Sequence, residues 1–285
     1  MSRGLAMRIG AVMAVGTGVA LYWPVITKLV HDWLHDDNYS HGILIVPLAA
    51  FFVWERRRRL AMTPDAPRVW GLAVVVFGLV MLLAGQLGAE LFLGRASMLF
   101  VLAGAVVFLR GTAALKVLTF PLAFLVLMIP LPAIIFNQIA FPLQLLASRA
   151  GEAALSLSGI PVLREGNVIV LAHITLEVAE ACSGIRALVS LLTLGIVYGY
   201  FTDDRAGVRT IIALATIPIA IVANAARVAG TGIAAQYFGE RAAQGFFHTF
   251  SGWLVFVAAF AMLFAVGRTI EWLAPPQATP RAAAA

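Results

Sequence analysis

Apolar runs long enough to cross about 30 Å of hydrocarbon recur along this entire chain, and nothing constrains its fold more. Of 285 residues, 61% are hydrophobic and only 12% charged, with a mean hydropathy of +0.94. A soluble domain carries about 25% charged residues. The chain is therefore expected to be an all-α polytopic membrane protein. A pI near 10.1 invites a nucleic-acid reading. The basic residues, however, cluster at the ends of apolar runs, which is how membrane topology is controlled. No nucleic-acid partner is expected; the lipid bilayer is. The single cysteine, Cys182, allows no intramolecular disulfide and says nothing of the redox compartment.

Eight spans are expected. The first covers about 5–29 and reads as an uncleaved helix, because the run after Arg3 and Arg8 continues to Val30 without a clear small-x-small end. An acidic, histidine-rich segment, His31 to His41, precedes a short second span at 41–54. Four arginines, Arg56 to Arg59, follow it and place residues 55–69 in the cytoplasm. Spans three to five then run at 70–86, 91–109 and 115–136, the last interrupted by Pro121, Pro130 and Pro132. Spans six to eight run at 183–201, 209–230 and 246–267. Both termini fall inside, with roughly thirteen of the twenty basic residues. Residues 1–273 read as one integral membrane domain, and 274–285 as a disordered tail.

Residues 137–181 form an insertion on the outer face. Asn137 to Leu157 has helical spacing, with Ile139, Leu143, Leu146, Ala150 and Leu157 on one side, which suits an amphipathic helix lying on the leaflet. Two short strands are expected next, over Gly159–Leu171 and Ile174–Val178. They are rich in Val and Ile, and Arg164-Glu-Gly-Asn167 offers turn chemistry. This hairpin would deliver the chain to Cys182 at the membrane surface.

The topology puts three chemically distinct groups at one depth. Cys182 opens span six, Arg227 lies near the outer end of span seven, and His248 starts span eight. Each has an ordinary reading: a buried small hydrophobe, a snorkelling cation, an interfacial histidine. Together they suit acyl transfer. A free cysteine is only a few per cent thiolate at neutral pH and needs a base or a nearby positive charge. His248 could take the thiol proton and return it to a leaving amine. Arg227 could stabilise the thiolate or the oxyanion of a tetrahedral intermediate. Arg186, Asn224, Glu180 and Ser183 are candidate supporting or substrate-binding groups. Arg186 stands one helical turn beyond Cys182, and Asn224 shares a helix face with Arg227. Neither a cofactor nor a metal is called for by this set.

At these residues the chain resembles the exosortase/archaeosortase family of membrane-embedded cysteine transpeptidases. The resemblance rests on Glu180-Ala-Cys-Ser-Gly-Ile-Arg186, Asn224-Ala-Ala-Arg227 and the His248 segment ending in Gly252. Asn38-Tyr-Ser-His-Gly42, Ile129-Pro-Leu-Pro132 and Arg164-Glu-Gly166 support it. It implies a bacterial inner-membrane enzyme acting on membrane-anchored proteins with a C-terminal PEP-CTERM-type signal. The nucleophile would be Cys182, with Arg227 and His248 as the other catalytic residues and a thioester as the intermediate. The acceptor stays open, and the resemblance implies a link with exopolysaccharide export.

Two rivals come from other classes. A transporter, such as a lipid-linked sugar translocator, would suit the proline-broken fifth span and the intramembrane cations Arg95, Arg186 and Arg227. A metal-dependent hydrolase would use the five histidines, His31, His35, His41, His173 and His248, but no H-E-x-x-H pair is present. The topology carries its own test. Membrane-impermeant thiol reagents are expected to label Cys182 from the outer side; labelling only from the cytoplasm would overturn the orientation and the three-helix site with it.

Overall fold

Helices dominate the computed structural model, which describes residues 3–172, 175–178, 185–239 and 246–274; side chains are described from Met13 onward except at 14, 15, 176, 177 and 246–251. The chain forms two compact units that divide after Pro132.

The first unit holds α1 (Arg3–His35), α2 (Gly42–Glu55), α3 (Arg57–Met62), α4 (Trp70–Leu87), α5 (Leu91–Arg110) and α6 (Thr112–Phe124), which continues as a 3-10 turn over Leu125–Met128. The antiparallel pair α4 and α5 packs almost backbone to backbone. Glycines 71, 78 and 85 recur every seven residues along α4 and keep one seam of it bare. A Cβ at Gly78 would stand 3.0 Å from the Ser97 carbonyl, and one at Gly104 of α5 would stand 2.7 Å from the Val75 nitrogen. Lipid gives helices no hydrophobic reason to associate, so close approach through small residues is how such pairs hold. Glu90 starts α5 by accepting the Leu93 N–H at 2.7 Å.

Two polar links tie α1 to α5. Asp32 accepts from Arg95 Nη2 at 2.6 Å, with Arg95 only 3% exposed, and the Tyr22 and Ser97 hydroxyls are 3.0 Å apart. A buried charge needs a partner of this kind, since leaving one uncompensated costs about 3–5 kcal/mol.

The break after α6 shows why the histidine-rich segment is polar. A continuing α-helix would pair the Met128 carbonyl with the N–H of residue 132, and Pro132 has none. The Trp33 indole donates to that carbonyl instead, at 3.0 Å. The His41 Nε2 donates to the Leu127 carbonyl at 3.2 Å, so the ring is the Nε2–H tautomer. Beneath them Phe52 of α2 meets Phe120 and Phe124 of α6 edge to face, with centroids 5.0 and 5.3 Å apart.

The second unit holds α7 (Ala133–Leu157), strands β1 (Val162–Glu165), β2 (Val168–Leu171) and β3 (Thr175–Glu177), and helices α8 (Ile185–Thr202), α9 (Ala206–Phe238) and α10 (Phe246–Leu273). The sheet is antiparallel in the order β1-β2-β3, pairing Glu165 with Val168 and Val168 with Glu177. Gly166, at φ 65°, supplies the positive φ that a two-residue hairpin loop requires. Arg164 fixes the loop by donating to the Gly166 carbonyl at 2.9 Å and to Glu152 of α7 at 2.7 Å. Ile169 and Leu171 alternate toward one face and, with Val178, join a buried cluster that includes Leu155 of α7 and Val228 of α9.

Helix α9 packs against α7, α8 and α10, again through small residues. A Cβ at Gly232 would reach 2.9 Å from a Leu155 methyl, and one at Gly151 would reach 2.6 Å from Val228. At the α8–α9 turn Arg205 holds the Asp203 carboxylate at 2.6 Å and keeps its pKa below the usual carboxylate range. The same guanidinium donates to the Ala274 carbonyl at 2.7 Å, tying the end of α10 to that turn.

Three expectations need correction. The Gly159–Leu171 stretch is two strands rather than one, because Gly166 turns the chain back, so the sheet has three strands. The fifth span does not reach 136: the proline-rich Ile129–Pro132 stops it, and 133–136 begin α7. Among the described residues five helices are long and apolar enough to cross a membrane, or six if α6 with its 3-10 turn and α7 count as one. Eight spans are not reproduced by that measure. The fourteen residues of α2 reach only about 21 Å.

Burial of the His41 ring lowers its pKa below the ordinary 6.5, and its Nδ1 has no hydrogen-bond partner among the described residues. The unfolded chain therefore takes up this proton first. Its contribution to stability is intact above about pH 6.5 and is lost as pH falls from there toward the folded-state pKa. The melting temperature in detergent is expected to fall on that acid limb. His41→Gln, which keeps an N–H for the Leu127 carbonyl, should flatten it; an unchanged acid slope in that variant would contradict the assignment.

Candidate functional site

Three helices, α8, α9 and α10, converge on a small cavity of about 30 Å³. Ala187 and Leu191 line it from α8, Ala223, Asn224 and Arg227 from α9, and Gly252 and Val255 from α10. The space exists because Ala187, Ala223 and Gly252 are small. It suffices for a water or two, each needing roughly 10–15 Å³ by this measure.

Polar groups enter from α9 alone among the cavity's described walls. Asn224 is 5% exposed and stands one turn before Arg227, which is half-buried. A guanidinium within a span costs about 2.5–3.5 kcal/mol on insertion scales, so its place between three helices asks for a purpose. Gly252 is the residue that admits it: a Cβ there would lie 3.5 Å from Arg227 Nη2 and 3.6 Å from Cζ. A methyl would just touch the guanidinium, and anything larger would push it.

Depth follows from the clasp at the opposite end. Arg205 and Ala274 are bonded, and Arg227 and Gly252 each lie 22 residues from that bond, so both sit about 33 Å from it along their helices. His248 falls on α10 one turn before Gly252, on the same helix face; its side chain is outside the described residues. Arg186 is half-buried in the first turn of α8, next to Ala187, and is not among the cavity walls. Cys182, Glu180 and Ser183 lie outside the described residues. Among the described residues no three His, Cys, Asp or Glu side chains cluster as a metal site would require.

Residues flanking the segment that carries Cys182 pack within this unit. On one side Val178 shares a buried cluster with Val228, the next residue after Arg227. On the other, α8 begins at Ile185 and reaches the cavity with Ala187. Sequence reasoning found the polar residues and missed the role of Gly252. Its signal was available, since a glycine four residues after His248 leaves the same face of the helix bare for a neighbour.

These features define a multi-span helical membrane protein with a small, mostly apolar cavity among three packed helices, into which α9 brings Asn224 and Arg227. A family model for transmembrane exosortases matches residues 33–265, and the chain belongs to that family. At the level of the family it is a membrane sorting transpeptidase. No curated protein and no solved structure matches it significantly.

Gly252 offers a graded test of the site. Gly252→Ala is expected to leave processing of a tagged substrate within about twofold. Gly252→Leu displaces the guanidinium and is expected to lower the rate by up to about a hundredfold, the scale of a misplacement near 1 Å. Equal activity of the two variants, assayed in membranes with expression matched, would remove Arg227 from the site.

Proposed function

We propose that the protein is a cysteine transpeptidase that cleaves C-terminal PEP-CTERM-type sorting signals through a thioester on Cys182. What supports this reading is the family match together with a cavity among α8, α9 and α10 that Asn224 and Arg227 line.

In this reading His248 accepts the Cys182 proton as Sγ attacks the scissile carbonyl carbon. The carbonyl π electrons move to oxygen, and the resulting oxyanion is held by Arg227; one such donor typically lowers a barrier by about 2.7–4 kcal/mol. Collapse breaks the C–N bond, and the imidazolium returns its proton to the departing amine. The thioester then passes to an acceptor nucleophile, and the thiol is regenerated. Asn224, one turn from Arg227, serves as a positioning residue for the guanidinium. Glu180, Ser183 and Arg186 belong to the approach of the substrate.

The substrate would bring its own transmembrane helix, so it would reach the site by lateral diffusion in the inner membrane. The orientation that fits has both termini in the cytoplasm and the site on the periplasmic face. Involvement in exopolysaccharide export follows from the family resemblance alone.

Cys182→Ala is expected to abolish processing of a tagged substrate while membrane insertion is unchanged, and intact-mass analysis of the wild-type enzyme with substrate should show a covalent adduct absent from the variant. Processing undiminished in Cys182→Ala would remove the nucleophile and the mechanism together.

A further inference from the structure

The sheet of the second unit has one edge fastened and one edge open. β1, at the first edge, is tied to α7 through Arg164 and Glu152. β3 is the other edge, and among the described residues no strand pairs with its far side.

The register decides which backbone groups the open edge presents. Antiparallel neighbours exchange hydrogen bonds only at every second opposed pair. Val178 donates its N–H to the Asn167 carbonyl at 2.9 Å, and these two residues continue the β2–β3 register. The next bonded pair is therefore Leu176 with Ile169. The hairpin agrees. Its two-residue loop makes Glu165 and Val168 a bonded pair, so Val168 and Val170 turn toward β1 and leave Ile169 for β3. Thr175 and Glu177, the alternate residues of β3, thus point their N–H and C=O groups away from the sheet. Thr175 is exposed. A bilayer tolerates no open sheet edge, so these groups face water or another polypeptide.

We propose that this edge takes the extended segment of the tagged substrate, which adds to β3 as a fourth strand. Main-chain hydrogen bonds give such binding its affinity. Two features commit the edge to that occupant. Glu177 stands five residues before Cys182, so the strand that holds the substrate runs on into the segment bearing the proposed nucleophile. A Pro-Glu-Pro core, for which the proposed signal is named, also suits an added strand. The residue between the prolines offers its N–H and C=O to the ladder, while both prolines fall where no N–H is needed. Both features count only if the substrate class proposed above is right.

The test measures binding apart from chemistry. A fluorescently labelled synthetic peptide with the Pro-Glu-Pro core is titrated onto the full chain carrying Cys182→Ala, in detergent, and followed by anisotropy. Backbone N-methylation is then walked along the peptide. Sensitivity is expected at alternate residues, with a loss of about fivefold at each, the scale of one peptide hydrogen bond. Thr175→Pro is expected to weaken binding to the same extent with the melting temperature unchanged, since proline is accepted where an edge N–H faces out. Thr175→Val keeps the N–H and is expected to bind as the parent does. N-methyl effects without alternation, full affinity in Thr175→Pro, or no binding by the parent while the wild type still processes the tagged substrate would overturn strand addition. So would a Thr175→Pro variant that only splits a dimer, which would assign the edge to a second copy of this chain. Failure of the wild type to process the tagged substrate would overturn the substrate class, and this occupant with it. Undiminished processing in Cys182→Ala would remove the nucleophile and leave an alternating N-methyl pattern standing as support for strand addition.

Discussion

Inside a bilayer no water is at hand to satisfy a polar group, so each one that the chain buries must find its partner in the chain itself. Much of this structure follows from that requirement. Where prolines stop α6, the orphaned carbonyls of Leu127 and Met128 are met by His41 and Trp33, which reach them from the other end of the unit's sequence. Where Arg95 is buried, Asp32 meets it from α1. Asp203 is met by Arg205 at the turn between α8 and α9. Short polar motifs in an apolar sequence are thus mostly structural contacts, and the few that are not fully engaged point toward chemistry.

The same medium removes the hydrophobic drive that assembles soluble helices, and packing has to replace it. Glycine does this twice. On α4 it recurs every seventh residue and lets α5 approach its backbone. Around α9 it is supplied by Gly151, Gly195 and Gly232, which accept side chains from the neighbouring helices. Arg227 is carried on a helix packed against three others, α7, α8 and α10, so the guanidinium has a firm base even though its own surroundings are loosely filled.

Much of this was legible in the chain. Long apolar runs announced the helices, and the periodicity of 137–157 announced α7, because both are set by local chemistry. Of the expected three-helix site, Asn224 and Arg227 line a cavity beside α8 and α10. One miss was tertiary. The capping role of His41 depends on a carbonyl 86 residues away, which no local pattern reveals. The third strand was a local miss: Arg164-Glu-Gly-Asn167 offered turn chemistry, and Gly166 turns the chain there and divides Gly159–Leu171 into two strands. The count of crossing helices suffered from α2, whose apolar composition says membrane while its length says otherwise.

The bond between Arg205 and Ala274 has a mechanical consequence. It pins α8, α9 and α10 at one end and leaves the cavity at the other, about 33 Å away along α9. Any widening there is a pivot about the pinned end rather than a parting of the whole bundle. A tilt of about 5° over that lever moves the far end by roughly 3 Å. A movement of that kind would change little in the packing near the pivot.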